Sequence, residues 1–300
     1  MQETIWLIGN ARSGTTWVMN LINHAKKYRE MLEPFHPKRV QEMNFLQANY
    51  YIRSDSRHDS LEEISDEVFS GRFSHPRVNR GYQGDSTNQY QRLLIKDIFA
   101  NLFSYWVYLR YPTIKIALLI RNPFSVALSV QKKKYWYWVT NPLELLHQPH
   151  LYEDYLEKFE DIIKKTSLEN DYILCQILIW CIVNYVPLCQ FKSKQLYVFF
   201  YEDIYYNPSD EISKLFSFIN SENQEIKTNI EKEIVEEASC FAGPESNILS
   251  KTCPITSWKN ELASKNIDAG FKILEQFGFE NLYDENSQPN KAILTDICGI

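Results

Sequence analysis

The segment with the clearest chemical pattern is residues 9–16, whose spacing is G-x-x-x-x-G-T-T. The Walker A loop of nucleoside triphosphatases has the pattern G-x-x-x-x-G-K-[ST]. The glycines and the final hydroxyl match this pattern, but Thr15 stands at the lysine position. Loops of this kind present backbone N–H groups and a helix amino terminus to an anion. With Arg12 as its cation, the segment predicts a phosphate-binding loop, and a plain turn between strand and helix is the alternative.

A second pair of candidate residues is Arg121 and Ser129. Arg121 follows an apolar run, residues 115–120, and should therefore lie at the carboxyl edge of a sheet, where open α/β sheets bind ligands. A nucleotide-dependent kinase usually needs an acidic residue there to hold Mg²⁺. An arginine fork beside helix hydroxyls suits a terminal phosphate instead. A strand-end arginine with solvated serines is the alternative.

These two segments resemble the phosphate motifs of the sulfotransferases that use 3'-phosphoadenosine-5'-phosphosulfate (PAPS). Residues 11–17, ARSGTTW, are similar to the loop that binds the 5'-phosphosulfate in that family, and Arg121 with Ser129 to its 3'-phosphate motif. Two further segments follow in the family's order, YEDI…NP at residues 201–208 and WKNEL at residues 258–262. The resemblance covers nearly the whole chain, and by it the chain is identified as a sulfotransferase of the bacterial or cytosolic type.

The resemblance implies which residues bind the donor. The backbone of residues 12–16 would hold the 5'-phosphosulfate, and Trp17 would stack on the adenine unless it is a core aromatic. The implied donor-binding residues are Arg12, Ser13, Gly14, Thr15, Thr16, Trp17, Arg121, Ser129 and Tyr201. The Arg-Lys-Gly that usually precedes the WK segment is not recognisable, so Ser250 and Lys251 are the nearest candidates for a third contact with the 3'-phosphate.

Sulfuryl transfer requires in-line positioning, a cation near the departing phosphate and a base for the acceptor. Arg12 is the first candidate for that cation and Lys96 the second, unless Lys96 is a solvated lysine at a strand end. Small-molecule members of the family place histidine where this chain has Ile98. The base is therefore sought in the Glu-Pro segment that carbohydrate and bacterial members show, with Glu33 first and His36 second. A hydrogen-bonded loop carboxylate and a partly exposed loop histidine are the alternatives.

The implied reaction transfers a sulfuryl group from PAPS to a hydroxyl or amine of a small-molecule or carbohydrate acceptor, without a metal. It releases 3'-phosphoadenosine 5'-phosphate (PAP). The sequence contains no motif that identifies the acceptor, and enzymes of secondary metabolism are among those that the resemblance includes. Two other functions stay open: a kinase-like phosphotransferase, which Thr15 and Arg121 disfavour, and a nucleotide-binding module without activity. A homodimer is compatible with the sequence.

The elements that must position these residues alternate between apolar strands and helices. This alternation predicts an α/β fold, a P-loop-like parallel sheet flanked by helices. The predicted strands cover residues 4–8, 93–96, 115–120 and 196–201. The predicted helices cover residues 15–25, 123–133, 171–189 and 210–219. Residues 34–91 are polar and predict a helical or irregular insertion over the acceptor cleft, within a single domain of residues 1–300.

Composition and charge narrow the function and the location. The net charge of -6 argues against a general nucleic-acid-binding protein, which needs an excess of lysine and arginine. Six cysteines without a CxxC pair, and an amino terminus without a basic segment, predict free thiols in the cytoplasm. Residues 172–189 are apolar but interrupted by polar residues and proline, which predicts a core helix and no membrane association. His147 and His150 lack a nearby acid or cysteine, so no metal site is predicted.

Overall fold

Five parallel strands form the central sheet of the computed structural model, in the order β2-β3-β1-β4-β5. The structure describes residues 3–79, 92–133, 139–219, 230, 235–236 and 253–294. The strands are β1 (Glu3–Gly9), β2 (Arg29–Leu32), β3 (Arg92–Asp97), β4 (Lys115–Ile120) and β5 (Leu196–Phe200). Every neighbouring pair is parallel, so the carboxyl ends of the strands meet at one edge. The predicted α/β fold with a parallel sheet is confirmed.

Helices cover both faces of this sheet. The longer ones are α1 (Thr15–Ile22), α2 (Asp59–Phe69), α3 (Ser104–Arg110), α4 (Pro123–Lys132), α5 (Glu160–Glu169), α6 (Tyr172–Gln190), α7 (Tyr201–Tyr206), α8 (Pro208–Ile219) and α9 (Ser264–Gln276). Shorter helical turns are Gln41–Met43, Asn101–Phe103, Leu143–Leu146, Pro149–Leu151, Tyr152–Leu156, Glu157–Phe159 and Trp258–Glu261. The four predicted helices all occur, with ends that differ by a few residues.

Alternate residues of the strands face two separate apolar cores. Trp6 and Ile8 of β1 belong to the larger core, to which α4 and α6 contribute. Ile5 and Leu7 of the same strand belong to the smaller core, together with residues of α1 and α8. Because helices bury both faces of the parallel sheet, its strands must be apolar on both sides. This double burial is the physical origin of the continuous apolar runs in the sequence.

The sequence pattern predicts α1 up to residue 25 and contains no signal for β2. In the structure α1 ends at Ile22, because Asn23 turns the chain towards β2. Asn23 Nδ2 donates to the Tyr28 carbonyl at 2.9 Å and to Glu30 Oε1 at 2.8 Å, and Tyr28 N donates to Asn23 Oδ1 at 2.9 Å. Strand β2 has four residues, and charged Arg29 and Glu30 form its first half. It therefore lacks the apolar run that marks the other strands.

Helix α6 passes through the larger core and packs against α4 and α9. It is long and apolar enough to cross a membrane, but 83 % of its most apolar stretch is buried inside the protein, as expected of the predicted core helix. Pro187 lies near its end and has no N–H to donate to the Val183 carbonyl. Asn101 Nδ2 donates to that carbonyl instead, at 3.3 Å.

The segment predicted as an insertion is partly helical, as expected, and it also contributes to the larger core. Helix α2 begins at Asp59, and its Leu61 and Val68 are fully buried. Phe35 and Met43, which precede the helix, are buried in the same core. The segment therefore has an apolar inner side despite its polar composition. Residues 80–91 of the predicted insertion lie outside the described residues.

Candidate functional site

The turn from β1 into α1 brings the predicted phosphate loop to the carboxyl edge of the sheet. Ser13 closes this turn, because its backbone N–H and its hydroxyl both donate to the Asn10 carbonyl, at 3.1 and 2.6 Å. Gly14 has a φ of 94°, and a Cβ at this position would lie 2.7 Å from the Tyr201 ring. A left-handed backbone and a close ring contact both favour glycine here. The conformation of the loop is thus determined by the hydrogen bonds of Ser13 and by the glycine at position 14.

The first turn of α1 follows the loop directly. Thr15 is buried and Thr16 half-buried, and Gly14 precedes them without a side chain that caps the helix. The first N–H groups of a helix lack partners within that helix, and the helix dipole adds positive charge at this end. The amino terminus of α1 therefore favours an anion, as the predicted phosphate loop requires.

The two predicted phosphate motifs meet in the structure. Arg12 Nε donates to Ser129 Oγ at 3.0 Å, which connects the loop after β1 to α4. Arg121 Nη1 donates to the Arg12 carbonyl at 3.1 Å, which connects the same loop to the end of β4. Arg12 and Ser129 are both half-buried. Two guanidinium groups and a hydroxyl in one region suit a ligand with two anionic groups.

Arg121 is held by several neighbouring groups. Its Nη2 donates to the Pro254 carbonyl at 3.0 Å, and its guanidinium carbon lies 4.3 Å from the centre of the Tyr201 ring. Its own carbonyl accepts a hydrogen bond from Trp180 Nε1 at 3.0 Å. Arg121 Nε is buried and has no hydrogen-bond partner among the described residues. Because a buried donor without a partner is costly, this N–H group is suited to an oxygen of a bound phosphate.

Glu202 supports the turn after Arg121 by accepting a hydrogen bond from Asn122 N. It was not predicted as a site residue. Glu202 is fully buried, and its Oε1 accepts a hydrogen bond from Asn122 N at 2.9 Å. Its Oε2 accepts one from the Tyr283 hydroxyl at 3.2 Å. Burial raises the pKa of Glu202 to about 7, against the opposing effects of the Asn122 N–H and the Arg121 charge. The YED segment of the resemblance was the available signal for this residue.

Trp17 and Tyr201, the predicted neighbours of an adenine, lie side by side. Their ring centroids are 5.2 Å apart and their planes are inclined by 54°. Trp17 Nε1 donates to the Val235 carbonyl at 3.0 Å. Both side chains are buried in the smaller core, so the core-aromatic alternative for Trp17 describes its packing correctly. A contact with adenine stays a prediction.

A second cluster forms where β2 and β3 end side by side. Leu32 pairs with Lys96 in the sheet, and Glu33 N donates to the Lys96 carbonyl at 2.7 Å. Lys96 Nζ lies 2.6 Å from Glu33 Oε1. The other carboxylate oxygen, Oε2, accepts a hydrogen bond from Arg77. Lys96 is 2 % exposed, so the alternative of a solvated strand-end lysine is wrong.

The charge of Glu33 is set by these neighbours. Burial alone would raise the pKa of Glu33, but Lys96, then Arg77 and His36, outweigh burial and hold the pKa below its ordinary value. Glu33 is therefore an ionised, paired carboxylate at neutral pH. Its φ of 50° shows that the chain turns sharply at this residue.

His36 is buried close to Glu33, at 1 % exposure, so the alternative of a partly exposed loop histidine is wrong. Its ring packs edge-on against Phe99, with ring centroids 4.7 Å apart. Its Nδ1 accepts a hydrogen bond from Lys38 N at 3.2 Å. Burial, and then the positive charge of Arg77, lower the pKa of His36 to about 4. His36 is therefore neutral at pH 7.

Asp97 follows Lys96 and was not predicted as part of the site. Trp6 Nε1 donates to its Oδ2 at 3.0 Å, and Phe35 N donates to its Oδ1 at 3.3 Å. Burial raises the pKa of Asp97 to about 8, although the Trp6 hydrogen bond opposes the change. A protonated Asp97 adds no second negative charge beside Glu33.

Two predicted site residues, Ser250 and Lys251, lie outside the described residues. Ile98, which stands at the histidine position of small-molecule members, is half-buried at the end of β3. Over the ranges that the structure describes, no group of three or more His, Cys, Asp and Glu side chains is arranged to hold a metal ion. The described site therefore consists of two clusters at one sheet edge, one around Arg12 and Arg121 and one around Glu33.

Similarity to a known protein family and to solved structures extends over most of the chain. The family model described as "Sulfotransferase domain" matches residues 2–277. A solved sulfotransferase from Alicyclobacillus acidocaldarius is similar at 15 % identity, over 86 % of this chain and 99 % of that one, with a TM-score of 0.43. The sulfotransferase domain from the curacin biosynthetic pathway shows 15 % identity over 93 % and 99 % of the chains, with a TM-score of 0.45. Mouse sulfotransferase SULT7A1, complexed with PAP, shows 13 % identity over 92 % and 84 %, with a TM-score of 0.45. No curated protein sequence matches the chain.

Proposed function

The chain belongs to the sulfotransferase domain family, and on that premise we propose that it transfers a sulfuryl group from PAPS to an acceptor hydroxyl or amine and releases PAP. The junction of Arg12, Arg121 and Ser129 carries this proposal. PAPS has a phosphosulfate at its 5' position and a phosphate at its 3' position. The loop with Arg12 suits the first group, and Arg121 with Ser129 suits the second.

The proposed chemistry is an in-line displacement at sulfur. The acceptor oxygen forms a new O–S bond while the bond between sulfur and the 5'-phosphate oxygen breaks, and that electron pair leaves with PAP. Negative charge therefore grows on the departing phosphate. Arg12 would stabilise this charge through its guanidinium, with Lys96 as the second cation. The step as proposed uses these side chains and no metal ion.

Glu33 is the base that the local geometry favours. His36 accepts the Lys38 N–H on Nδ1, so its Nε2 carries the ring proton and is not free to take another. Its pKa of about 4 gives it no advantage over Glu33, whose pKa is also low, so the occupied Nδ1 decides between them. Glu33 is ionised and lies beside Lys96, at the sheet edge shared with the phosphate loop. We therefore propose that the acceptor's proton passes to the Glu33 carboxylate.

For the acceptor, the cellular location and the binding partners, we propose only general classes. A small-molecule or carbohydrate acceptor, as in secondary metabolism, fits the family. Cytoplasmic location is supported by the described cysteines, which are free thiols at Cys175, Cys181, Cys189 and Cys253. The net charge of -6 supports a protein without nucleic-acid partners. We propose no membrane partner, and a homodimer is compatible with these features.

Calorimetric titration with PAP, compared with ATP and Mg²⁺, tests the donor site. We expect PAP to bind tightly and Mg-ATP weakly. Arg121→Ala should weaken PAP binding by about 10- to 100-fold, because charge-assisted hydrogen bonds are each worth about 1.5–3 kcal/mol. Preference for Mg-ATP would indicate a kinase-like phosphotransferase and would refute the proposal.

Arg110→Ala is a matched control for Arg121→Ala. Arg110 also donates to two backbone carbonyls, of Ser54 at 3.0 Å and Ser56 at 2.8 Å. Its guanidinium carbon also lies over an aromatic ring, 4.1 Å from the centre of Trp106. The control thus removes similar packing away from the predicted phosphate sites and should leave PAP affinity unchanged. Turnover of sulfur-35-labelled PAPS then separates an enzyme from a module that binds PAP without activity.

A further inference from the structure

Arg77 reaches the reaction site from the segment before β3, and neither the family resemblance nor the sequence pattern pointed to it. Lys96 contacts one oxygen of the Glu33 carboxylate and Arg77 contacts the other. We propose that Arg77 is a positioning residue for Glu33. Arg77 balances the negative charge of the Glu33 carboxylate, so that Lys96 can turn to the donor without leaving that buried charge unpaired. This inference rests on the proposed function, in which Glu33 is the base.

The fold delivers Arg77 to this place through contacts with β2. Leu32 N, at the end of β2, donates to the Val78 carbonyl at 2.9 Å. Arg29, at the start of β2, donates through Nη2 to the Phe73 carbonyl and to Asn79 Oδ1, both at 3.2 Å. Because these contacts flank Arg77 in sequence, the segment is fixed on the sheet edge at both ends.

A tight turn then orients Arg77. Asn79 N donates to the His75 carbonyl at 3.0 Å, and Arg77 N donates to His75 Nδ1 at 3.2 Å. The side chain of Arg77 is 19 % exposed, and that of Glu33 is 7 % exposed. Arg77 is therefore held towards the protein interior by its own turn as well as by Glu33.

The burial of Glu33 explains why it needs a cation that stays beside it. A buried carboxylate that loses its partner pays a large desolvation cost, and it takes up a proton to avoid that cost. The charged and titratable groups that face Glu33 are Lys96 and Asp97 of β3, Arg77 of the docked segment and His36 of the loop after β2. His36 is neutral and Asp97 protonated at neutral pH. If Lys96 moved to the departing phosphate, Arg77 would be the cation that keeps Glu33 ionised.

The test measures the protonation of Glu33 directly, by carbon-13 NMR of its carboxyl carbon across a pH titration. The signal is assigned by its loss in Glu33→Gln. We expect Arg77→Met to raise the titration midpoint of Glu33 by about one to three pH units, the size of effect that a close opposite charge has on a carboxyl group. Arg77→Lys should largely restore the midpoint, because it keeps the charge.

Arg72→Met is the matched control, since Arg72 lies on the same segment and is exposed. It should leave the Glu33 midpoint unchanged. An unmoved midpoint in folded Arg77→Met protein would overturn the inference. Should Arg77→Met fail to fold, Lys96→Met asks the same question, because it leaves Arg77 beside Glu33. Glu33 ionised at neutral pH in Lys96→Met then supports the inference, and Glu33 protonated there overturns it.

A kinetic measurement separates this inference from the proposed function. The rate at which PAPS is converted to PAP, with water as the acceptor, is followed against pH. The acid limb of this profile should move up in Arg77→Met, while the affinity for PAP stays unchanged. A merely structural role of Arg77 would lower the rate at every pH without moving the limb. Failure of the wild-type protein to bind PAP or turn over PAPS would refute the proposed function, while the NMR result would still decide what Arg77 does to Glu33.

Discussion

Replacement of Glu202 by glutamine tests the support beneath the Arg121 turn. Glu202 is fully buried and accepts hydrogen bonds from Asn122 N at 2.9 Å and from the Tyr283 hydroxyl at 3.2 Å. Burial raises its pKa from the ordinary 4.5 to about 7. The folded protein therefore binds this proton more tightly than the unfolded chain does. The contribution of Glu202 to the free energy of unfolding is fully present below pH 4.5 and is lost as the pH rises through about 7.

The size of this loss follows from the two pKa values. Each pH unit between them is worth about 1.4 kcal/mol, so the full cost of ionising Glu202 is about 3–4 kcal/mol. Roughly 2–3 kcal/mol of that cost falls between pH 5 and pH 8. Glutamine keeps an acceptor oxygen for the Asn122 N–H and carries no charge. We therefore expect Glu202→Gln to lack this part of the pH dependence.

Urea unfolding followed by tryptophan fluorescence, at pH 5 and at pH 8, measures the effect. In the wild type the free energy of unfolding should fall between the two pH values by about 2–3 kcal/mol more than in Glu202→Gln. Asp97, whose raised pKa acts in the same direction, is common to both proteins and cancels in the comparison. Glu280→Gln, at an exposed glutamate, is the control and should behave as the wild type. Equal pH dependence in Glu202→Gln and wild type would refute the reasoning and show that Glu202 ionises without cost.

Two further substitutions test the local structure of the donor site. Gly14→Ala should lower the free energy of unfolding by about 1–2 kcal/mol and weaken PAP binding, because alanine is strained at a φ of 94° and its Cβ would lie 2.7 Å from the Tyr201 ring. Thermal unfolding and calorimetry measure both effects. Gly278→Ala, which is strained in the same way at a φ of 73° but lies after α9, is the control and should lower stability without changing PAP affinity. Asn122→Ala should cost about 1 kcal/mol in urea unfolding, because Asn122 caps α4 by accepting from two backbone N–H groups at 3.0 and 3.2 Å. Asn122→Asp should retain most of that stability, and a fully stable Asn122→Ala would contradict the capping role.

The sheet was largely predictable because its strands carry their own signal. Four of the five strands are apolar runs, which a parallel sheet buried on both faces requires. Strand β2 could not be read in this way, since Arg29 and Glu30 fill half of it and its position depends on Asn23. The end of α1 was predicted too late for the same reason. It is determined by the side chain of Asn23, which is not part of the apolar periodicity.

The proposed donor site, around Arg12 and Arg121, was more predictable than the proposed reaction site around Glu33. Arg12 lies in the loop after β1 and Arg121 directly follows β4, so the sheet edge brings them together once the fold is known. Arg77 and Glu33 are 44 positions apart, and they meet because an irregular segment docks on β2. No spacing rule encodes such a contact. The buried state of Glu202 was equally invisible, since its neighbours Asn122 and Tyr283 come from distant parts of the chain.

Because of Pro187, the last turn of α6 depends on a residue from a distant part of the chain. Since proline cannot donate to the Val183 carbonyl, the last turn of α6 lacks one hydrogen bond of its own. Asn101, 82 positions earlier, provides the replacement. The final turn of the helix is therefore complete only after the chain segment that follows β3 has docked, so a local element depends on a distant one. We therefore expect the two regions to unfold together, and amide hydrogen exchange should report them as one cooperative unit.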